Sequence, residues 1–448
     1  MGKRNIERFS AGYALLKMVA RFWHNHLFYR KVIVKGRENI DYSRHNIFAP
    51  NHQNALMDAM AVICTTRGQM VFLARSDIFR KRVIASLLYF LKILPVYRIK
   101  DGYDTLRLND EIFRKTIDVI ENKNGIGILP EGNHHGERRL RTLKKGICRI
   151  AFSAEEISGG TLDMQIVPVG LDYSDYSGFR EVLTVIYGEP ISISGLTDLY
   201  RRNPAKALNE LRDKIADALK GVMVHIDAGD DYEAINEFTK IVNVPYQEEI
   251  EYTRLERDRD LVNNLNNLKE SDSPLYRKIC DMSEEAAKIA GDIGVDYEVV
   301  RNKASGVMSL IARSAALFIT SPLFLVGAIL NYPFYRLSEL PLKKIADRQF
   351  HSSVQYVVSL FTAIVVTPLL AIPLLILVEP WWLGLIIFVS VPLTGIAAWN
   401  WKRVFMFTRG LVRRYRYIRQ KESRYARLEE IVGILDRVAE SIRKEGRG

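Results

Sequence analysis

Short apolar runs recur between residues 30 and 200, separated by stretches with three- and four-residue apolar spacing. Lys31–Val34, Asn46–Ala49, Met70–Leu73, Ile93–Tyr97, Gly125–Leu129, Gln165–Val169 and Leu183–Tyr187 read as strands. Helical patterns cover Leu56–Thr65, Ile84–Leu91, Leu106–Asn122 and Lys145–Ala154. This alternation predicts an α/β fold, a mostly parallel sheet flanked by helices. Ahead of it, Phe9, Tyr13, Leu16, Val19, Ala20, Trp23 and Leu27 mark a helix from Ile6 to Tyr29. Its cations Lys3, Arg4, Arg8, Lys17 and Arg21 suit a headgroup boundary, so residues 1–30 are expected to form an interfacial helix. Residues 204–304 are charged and helical and read as a connector. No internal repeat or low-complexity tract is visible.

The C-terminal part changes character. Ser314–Tyr335 has no charged residue, and Val354–Trp401 has only Glu379. Uncharged apolar stretches of this length point to a bilayer. Val354–Val378 and Trp381–Trp401 predict a membrane helical hairpin turning at Glu379-Pro380. Ser314–Tyr335, interrupted by Pro322 and Pro333, is expected to be a re-entrant or interfacial element or a broken pair of short helices. The expected boundaries are 31–203 for an α/β domain, 204–304 for the connector, 305–403 for the membrane region and 404–448 for a basic helical cytoplasmic tail.

Charge sharpens this picture. The chain of 448 residues has a formal net charge of +12, and Lys402 to Arg427 alone contains ten basic residues and one acidic one. A basic segment directly after an apolar run favours the anionic leaflet of a membrane over nucleic acid. Membrane localisation with the α/β domain facing the cytoplasm is the expectation. Cys64, Cys148 and Cys280 lie far apart without metal-like spacing, as in a reducing compartment. Arg21, His24 and Arg30 interrupt the N-terminal apolar pattern, so no cleaved signal peptide is expected.

Candidate chemistry begins with Pro50-Asn51-His52-Gln53-Asn54-Ala55-Leu56-Met57-Asp58, just after a predicted strand. An imidazole can take a proton from a hydroxyl, and a nearby carboxylate can fix its tautomer and stabilise its charged form. Further blocks follow in order: Phe72-Leu73-Ala74-Arg75, Pro95-Val96-Tyr97-Arg98, Leu129-Pro130-Glu131-Gly132 and Ile166-Val167-Pro168-Val169-Gly170. Together they resemble the glycerolipid acyltransferase family, which acylates glycerol 3-phosphate or 1-acylglycerol 3-phosphate. The resemblance covers roughly residues 30–200.

That resemblance implies acyl transfer from an acyl-CoA or acyl-carrier-protein thioester to a glycerol hydroxyl, without an acyl-enzyme and with no bound cofactor or metal. It implies that His52 is the general base and Asp58 its partner. It places Arg75, Arg98, Glu131 and Gly132 in acceptor phosphate and substrate binding, and Pro168 in shaping the acyl site. The planar fork of Arg98 suits a phosphate. The pair His134-His135 reads as exposed loop histidines rather than metal ligands. The implied partners are the thioester donor, glycerol 3-phosphate or lysophosphatidate, and an anionic bilayer.

The chain departs from the family's commonest pattern. Five residues separate His52 from Asp58, where four are usual, and Asn133 follows the Pro-Glu-Gly block in place of Thr-Arg-Ser. On an ideal helix the six-residue offset would point the two side chains about 240° apart, so His52 must sit on the turn before a helix containing Asp58. Asn54 is the candidate N-cap. The spacing, with Thr142-Leu143-Lys144-Lys145-Gly146, is similar to the branch acylating glycerol 3-phosphate or dihydroxyacetone phosphate. Alternatives are a remodelling lysophospholipid or aminolipid O-acyltransferase, or a non-catalytic lipid-binding membrane protein on the same fold.

Overall fold

The computed structural model describes residues 6–97, 112, 114–122, 124–243, 251–302 and 306–445. Two compact units result, Met1–His225 with Asp347–Ser353, and Ile226–Ala346 with Val354–Gly448.

The first unit is built on an eight-stranded sheet among the described residues. Its strands are β1 (Lys31–Lys35), β2 (His45–Pro50), β3 (Val71–Arg75), β4 (Ile93–Val96), β5 (Ile126–Gly127), β6 (Met164–Tyr173), β7 (Val182–Tyr187) and β8 (Ile191–Ser192). The spatial order is β1-β7-β6-β2-β5-β3-β4, with β8 beside β6. From β6 to β4 every pairing is parallel, whereas β7 and β8 run antiparallel to β6. β6 is buried along all ten residues and β7 along all six. A sheet covered on both faces selects such unbroken apolar runs. The seven expected strands are present, and β8 is additional. β5 is shorter than the expected Gly125–Leu129. Residues 106–111 of one expected helix lie outside the described residues.

A proline has no N–H to give a sheet, yet Pro168 lies inside one. β6 is central, with Pro168 opposite Ala49 of β2. The Pro168 carbonyl accepts the Gly188 N–H at 2.9 Å, on the side away from β2. Its missing N–H therefore falls in the gap between the β7 and β8 ladders, where no ladder bond is lost.

Helix Ala11–Phe22 starts at Ser10, whose hydroxyl accepts the Tyr13 N–H. It buries Tyr13 and Ala20, and Lys17 Nζ donates to the carbonyls of Thr66 at 3.2 Å and Gly68 at 2.6 Å. Phe9, Leu15, Met18 and Phe22 stay exposed. The helix both packs on the sheet unit and presents an outward apolar face. Helix Arg82–Phe90 does likewise with Val83, Leu87 and Phe90. Helix Pro204–Val222, expected in the connector, belongs to the sheet unit: it lies against β6 and buries Ala207, Leu211, Ile215, Leu219 and Val222.

In the second unit, helices Tyr232–Val242, Arg254–Ser271, Ser273–Ile293 and Ser423–Glu445 pack together. Thr253 and Glu256 form a capping box at the start of the second. Ser423–Glu445 is packed into this unit along its apolar face. It buries Leu428, Ile431 and Leu435, and Arg427 pairs bidentately with Glu285 at 2.8 Å.

Among the described residues, three helices are long and apolar enough to cross a membrane, over Val307–Lys344, Arg348–Leu369 and Trp381–Gln420. The expected break at Ser314–Tyr335 is absent, because one helix runs from Val307 to Glu339 through both prolines. Pro322 cannot donate to Phe318, but the Ser321 hydroxyl supplies that carbonyl with a hydrogen bond of 2.7 Å. The helix Trp381–Gln420 carries the basic segment after Trp401 as its own continuation. It runs antiparallel to Val307–Glu339. Trp401 Nε1 donates to Thr320 Oγ1 at 3.1 Å, and Asn331 Nδ2 to the Val391 carbonyl at 3.0 Å. A Cβ on Gly327 would come within 2.2 Å of the Thr394 carbonyl oxygen, so only glycine permits this approach.

Candidate active site

The parallel pairing from β6 to β4 delivers the carboxyl ends of those strands to one edge, where ligands bind in open α/β sheets. His52 follows β2, Arg75 ends β3, and Glu131 lies shortly after β5.

The turn between β2 and helix Ala55–Thr65 is fixed from several directions. The Asn51 side chain bonds the Leu171 main chain twice, accepting its N–H at 2.7 Å and donating to its carbonyl at 3.2 Å. This extends the β2–β6 pairing beyond Pro50. Ala55 then takes φ 45°, a left-handed value that alanine rarely adopts, and the chain curls around Asp58. The Asp58 carboxylate is fully buried. Its Oδ2 accepts the N–H groups of Gln53 at 2.8 Å and Asn54 at 2.7 Å, and lies 2.9 Å from His52 Nδ1. Its Oδ1 accepts the Tyr173 hydroxyl at 2.8 Å. Burial and the Asp58 charge push the Tyr173 phenol well upward, which keeps it a donor. Four polar groups thus converge on the carboxylate. It holds the Nδ1 edge of the His52 ring, which leaves Nε2 as the nitrogen that can meet a substrate.

Asn54 occupies the N-cap position, but its side chain does not cap the helix. It donates to the Tyr176 carbonyl at 3.1 Å and accepts the Ser352 hydroxyl at 2.8 Å. The Leu56 N–H is instead satisfied by Ser353 Oγ at 3.2 Å.

Glu131 sits behind the histidine. Its Oε1 accepts the His52 N–H at 2.7 Å and its Oε2 the Arg141 N–H at 3.2 Å. The carboxylate thus joins two loops through their main chains. Burial pushes this carboxyl up to about 7, against the pull of those two N–H groups. Gly132 turns the chain at φ 75°, in the left-handed region. Arg138 and Asp172, both buried, pair at 3.3 Å and tie the same loop to β6. Arg75 pairs with Asp77 in its own turn. Arg98 lies outside the described residues.

Because the Glu131 carboxyl titrates near 7 when folded and near 4.5 when free, the folded chain holds an extra proton between those values. Its contribution to stability falls as pH rises through that window. Glu131→Gln removes this dependence and sets an NH2 group against one main-chain donor, costing about 1–3 kcal/mol. The variant is expected to melt below wild type at pH 5, with the gap narrowing towards pH 7, in thermal unfolding of detergent-solubilised protein.

The structure brings together His52, Asp58 and Glu131. Sequence reasoning missed Tyr173, the paired amide of Asn51 and the serines at 352 and 353. No local signal marks them, since each acts across more than 100 positions.

Residues 31–172 match the family model described as Acyltransferase. The match falls wholly within the sheet unit of this chain. Over 115 residues it is 32% identical to Glycerol-3-phosphate O-acyltransferase 2 of Saccharomyces cerevisiae, covering 25% of this chain and 15% of that protein. Glycerol-3-phosphate O-acyltransferase 1 of the same yeast is 30% identical over 127 residues, 28% of this chain and 16% of the relative. The 1-acyl-sn-glycerol-3-phosphate acyltransferase of Borreliella burgdorferi is 29% identical over 163 residues, 36% of this chain and 58% of that protein. The chain thus spans under two thirds of each of these relatives. The solved 1-acyl-sn-glycerophosphate acyltransferase PlsC of Thermotoga maritima shares 19% identity at a TM-score of 0.34, over 47% of this chain and 78% of that one.

Proposed function

We propose that this chain is a membrane-bound acyltransferase, moving a fatty acyl group from an acyl-CoA or acyl-carrier-protein thioester to glycerol 3-phosphate. The observation carrying this reading is the His52–Asp58 pair, buried at the carboxyl edge of a parallel sheet with Nδ1 held 2.9 Å from the carboxylate. Nε2 of His52 takes the proton of the acceptor hydroxyl as its oxygen attacks the thioester carbonyl. The tetrahedral intermediate expels the thiolate, which the imidazolium protonates. Asp58 supports the transient positive charge throughout. A thioester is already activated, so positioning the alcohol and one base suffices.

The acceptor choice rests on the five-residue His–Asp spacing and on the names of the two yeast relatives. Lysophosphatidate is the second reading, favoured by the name of the Borreliella relative. The outward apolar faces of helices Ala11–Phe22 and Arg82–Phe90 and the long apolar helices support work at a bilayer, with the sheet domain on the cytoplasmic side. An acceptor panel decides the reading: purified full chain, one acyl-CoA, and glycerol 3-phosphate, lysophosphatidate or aminolipid acceptors, read by lipid mass spectrometry. Lysophosphatidate is expected as the main product from glycerol 3-phosphate. Turnover only of acceptors without a free phosphate supports a remodelling or aminolipid enzyme, and no product with any acceptor supports a lipid-binding role.

A further inference from the structure

The segment Asp347–Ser353 joins two apolar helices, yet it belongs to the compact sheet unit. It lies far outside the residues that match the acyltransferase family. It touches both loops that hold the buried dyad. Asp347 Oδ2 lies 3.1 Å from His134 Nε2, and the Phe350 ring meets the His134 ring edge-on at 4.6 Å. The His134 ring in turn stands 5.5 Å from that of His52, nearly perpendicular to it. Gln349 lies against Gly136, and the His135 N–H donates to the His52 carbonyl at 3.3 Å. On the other loop, the buried Ser352 hydroxyl donates to Asn54, and Ser353 caps the helix that carries Asp58.

We propose that Asp347–Ser353 is a positioning strap for His52, with Asp347 and Phe350 acting through His134, and Ser352 and Ser353 acting through the start of helix Ala55–Thr65. This rests on the acyl-transfer reading only for its kinetic consequence. The physical reason is geometric. Asp58 fixes one edge of the His52 imidazole, whereas the ring's swing about that hydrogen bond is limited by the neighbouring His134 ring. His134 keeps its place because a carboxylate and an aromatic ring clamp it from residues over 200 positions away. Asp347 is itself half-exposed, so replacing it removes the clamp without opening the core.

The experiment uses the full chain in detergent, as wild type, Asp347→Ala, Asp347→Glu, His134→Ala and the double variant Asp347→Ala/His134→Ala. Asp347→Ala is expected to lower kcat about tenfold with acceptor and donor KM within about twofold. Asp347→Glu recovers much of this loss, and the double variant falls no further than His134→Ala, as expected for residues acting through one another. A second readout is independent of turnover: modification of His52 by diethylpyrocarbonate, followed by peptide mass spectrometry. Asp347→Ala is expected to raise its rate several-fold at unchanged melting temperature, and Ser352→Ala to raise it likewise at a temperature well below its own, lower melting point. Unchanged His52 reactivity in both variants would overturn the strap, as would additive losses in the double variant. Inactivity of the wild type towards every acceptor counts against the acyl-transfer reading alone, because the modification rates still test the strap.

Discussion

His52→Ala is expected to lower acyl-transfer kcat by about 10²–10⁴-fold, the usual contribution of a positioned general base. The loss should be chemical and not structural. The main-chain N–H of residue 52 still reaches Glu131, and Asp58 keeps three of its four donors: the Gln53 and Asn54 N–H groups and the Tyr173 hydroxyl. Purified variant should therefore retain its melting temperature and its membrane association. Near-wild-type turnover in a radiolabelled thioester assay would remove His52 from the base role.

The second large effect falls on Asp58, where two substitutions separate charge from architecture. Asp58→Asn can keep a carbonyl oxygen towards His52, Gln53 and Asn54 and turn its NH2 towards the Tyr173 hydroxyl, which can accept. The fold survives, but the imidazolium that forms as the alcohol is deprotonated loses its counter-charge. A fall in kcat of about 10²–10⁴-fold is expected. Asp58→Ala removes the acceptor itself and leaves the main-chain N–H groups of Gln53 and Asn54 buried without it. At about 1–3 kcal/mol for each such group, the site should unfold locally or the chain should fail to accumulate. Paired measurements of kcat and melting temperature distinguish these outcomes. Equal melting temperatures for the two variants would contradict the hydrogen-bond geometry around this carboxylate.

Both variants probe a part of the site that was legible in the sequence, and the reason is locality. His52 and Asp58 are six positions apart on a turn entering a helix, so their meeting follows from strand–helix succession alone. The strands were legible for a related reason. A sheet buried on both faces demands unbroken apolar runs, which β6 and β7 supply. What stayed hidden is non-local. The block containing Glu131 points to substrate binding by resemblance, but its carboxylate serves a main-chain N–H 79 positions away. Asn54 has the composition of a cap, yet a serine from another part of the chain performs that task. In the apolar region, the prolines at 322 and 333 read as breaks. A serine hydroxyl satisfies the carbonyl that Pro322 leaves free, and in an apolar surrounding an unwound backbone would cost far more than the missing bond.

The attachment of Asp347–Ser353 beside His134 and Asn54 also makes the sheet unit discontinuous in sequence. Its last piece is synthesised only after the whole of Ile226–Ala346, so the loops around His52 gain their full set of contacts late, once that intervening stretch has been made.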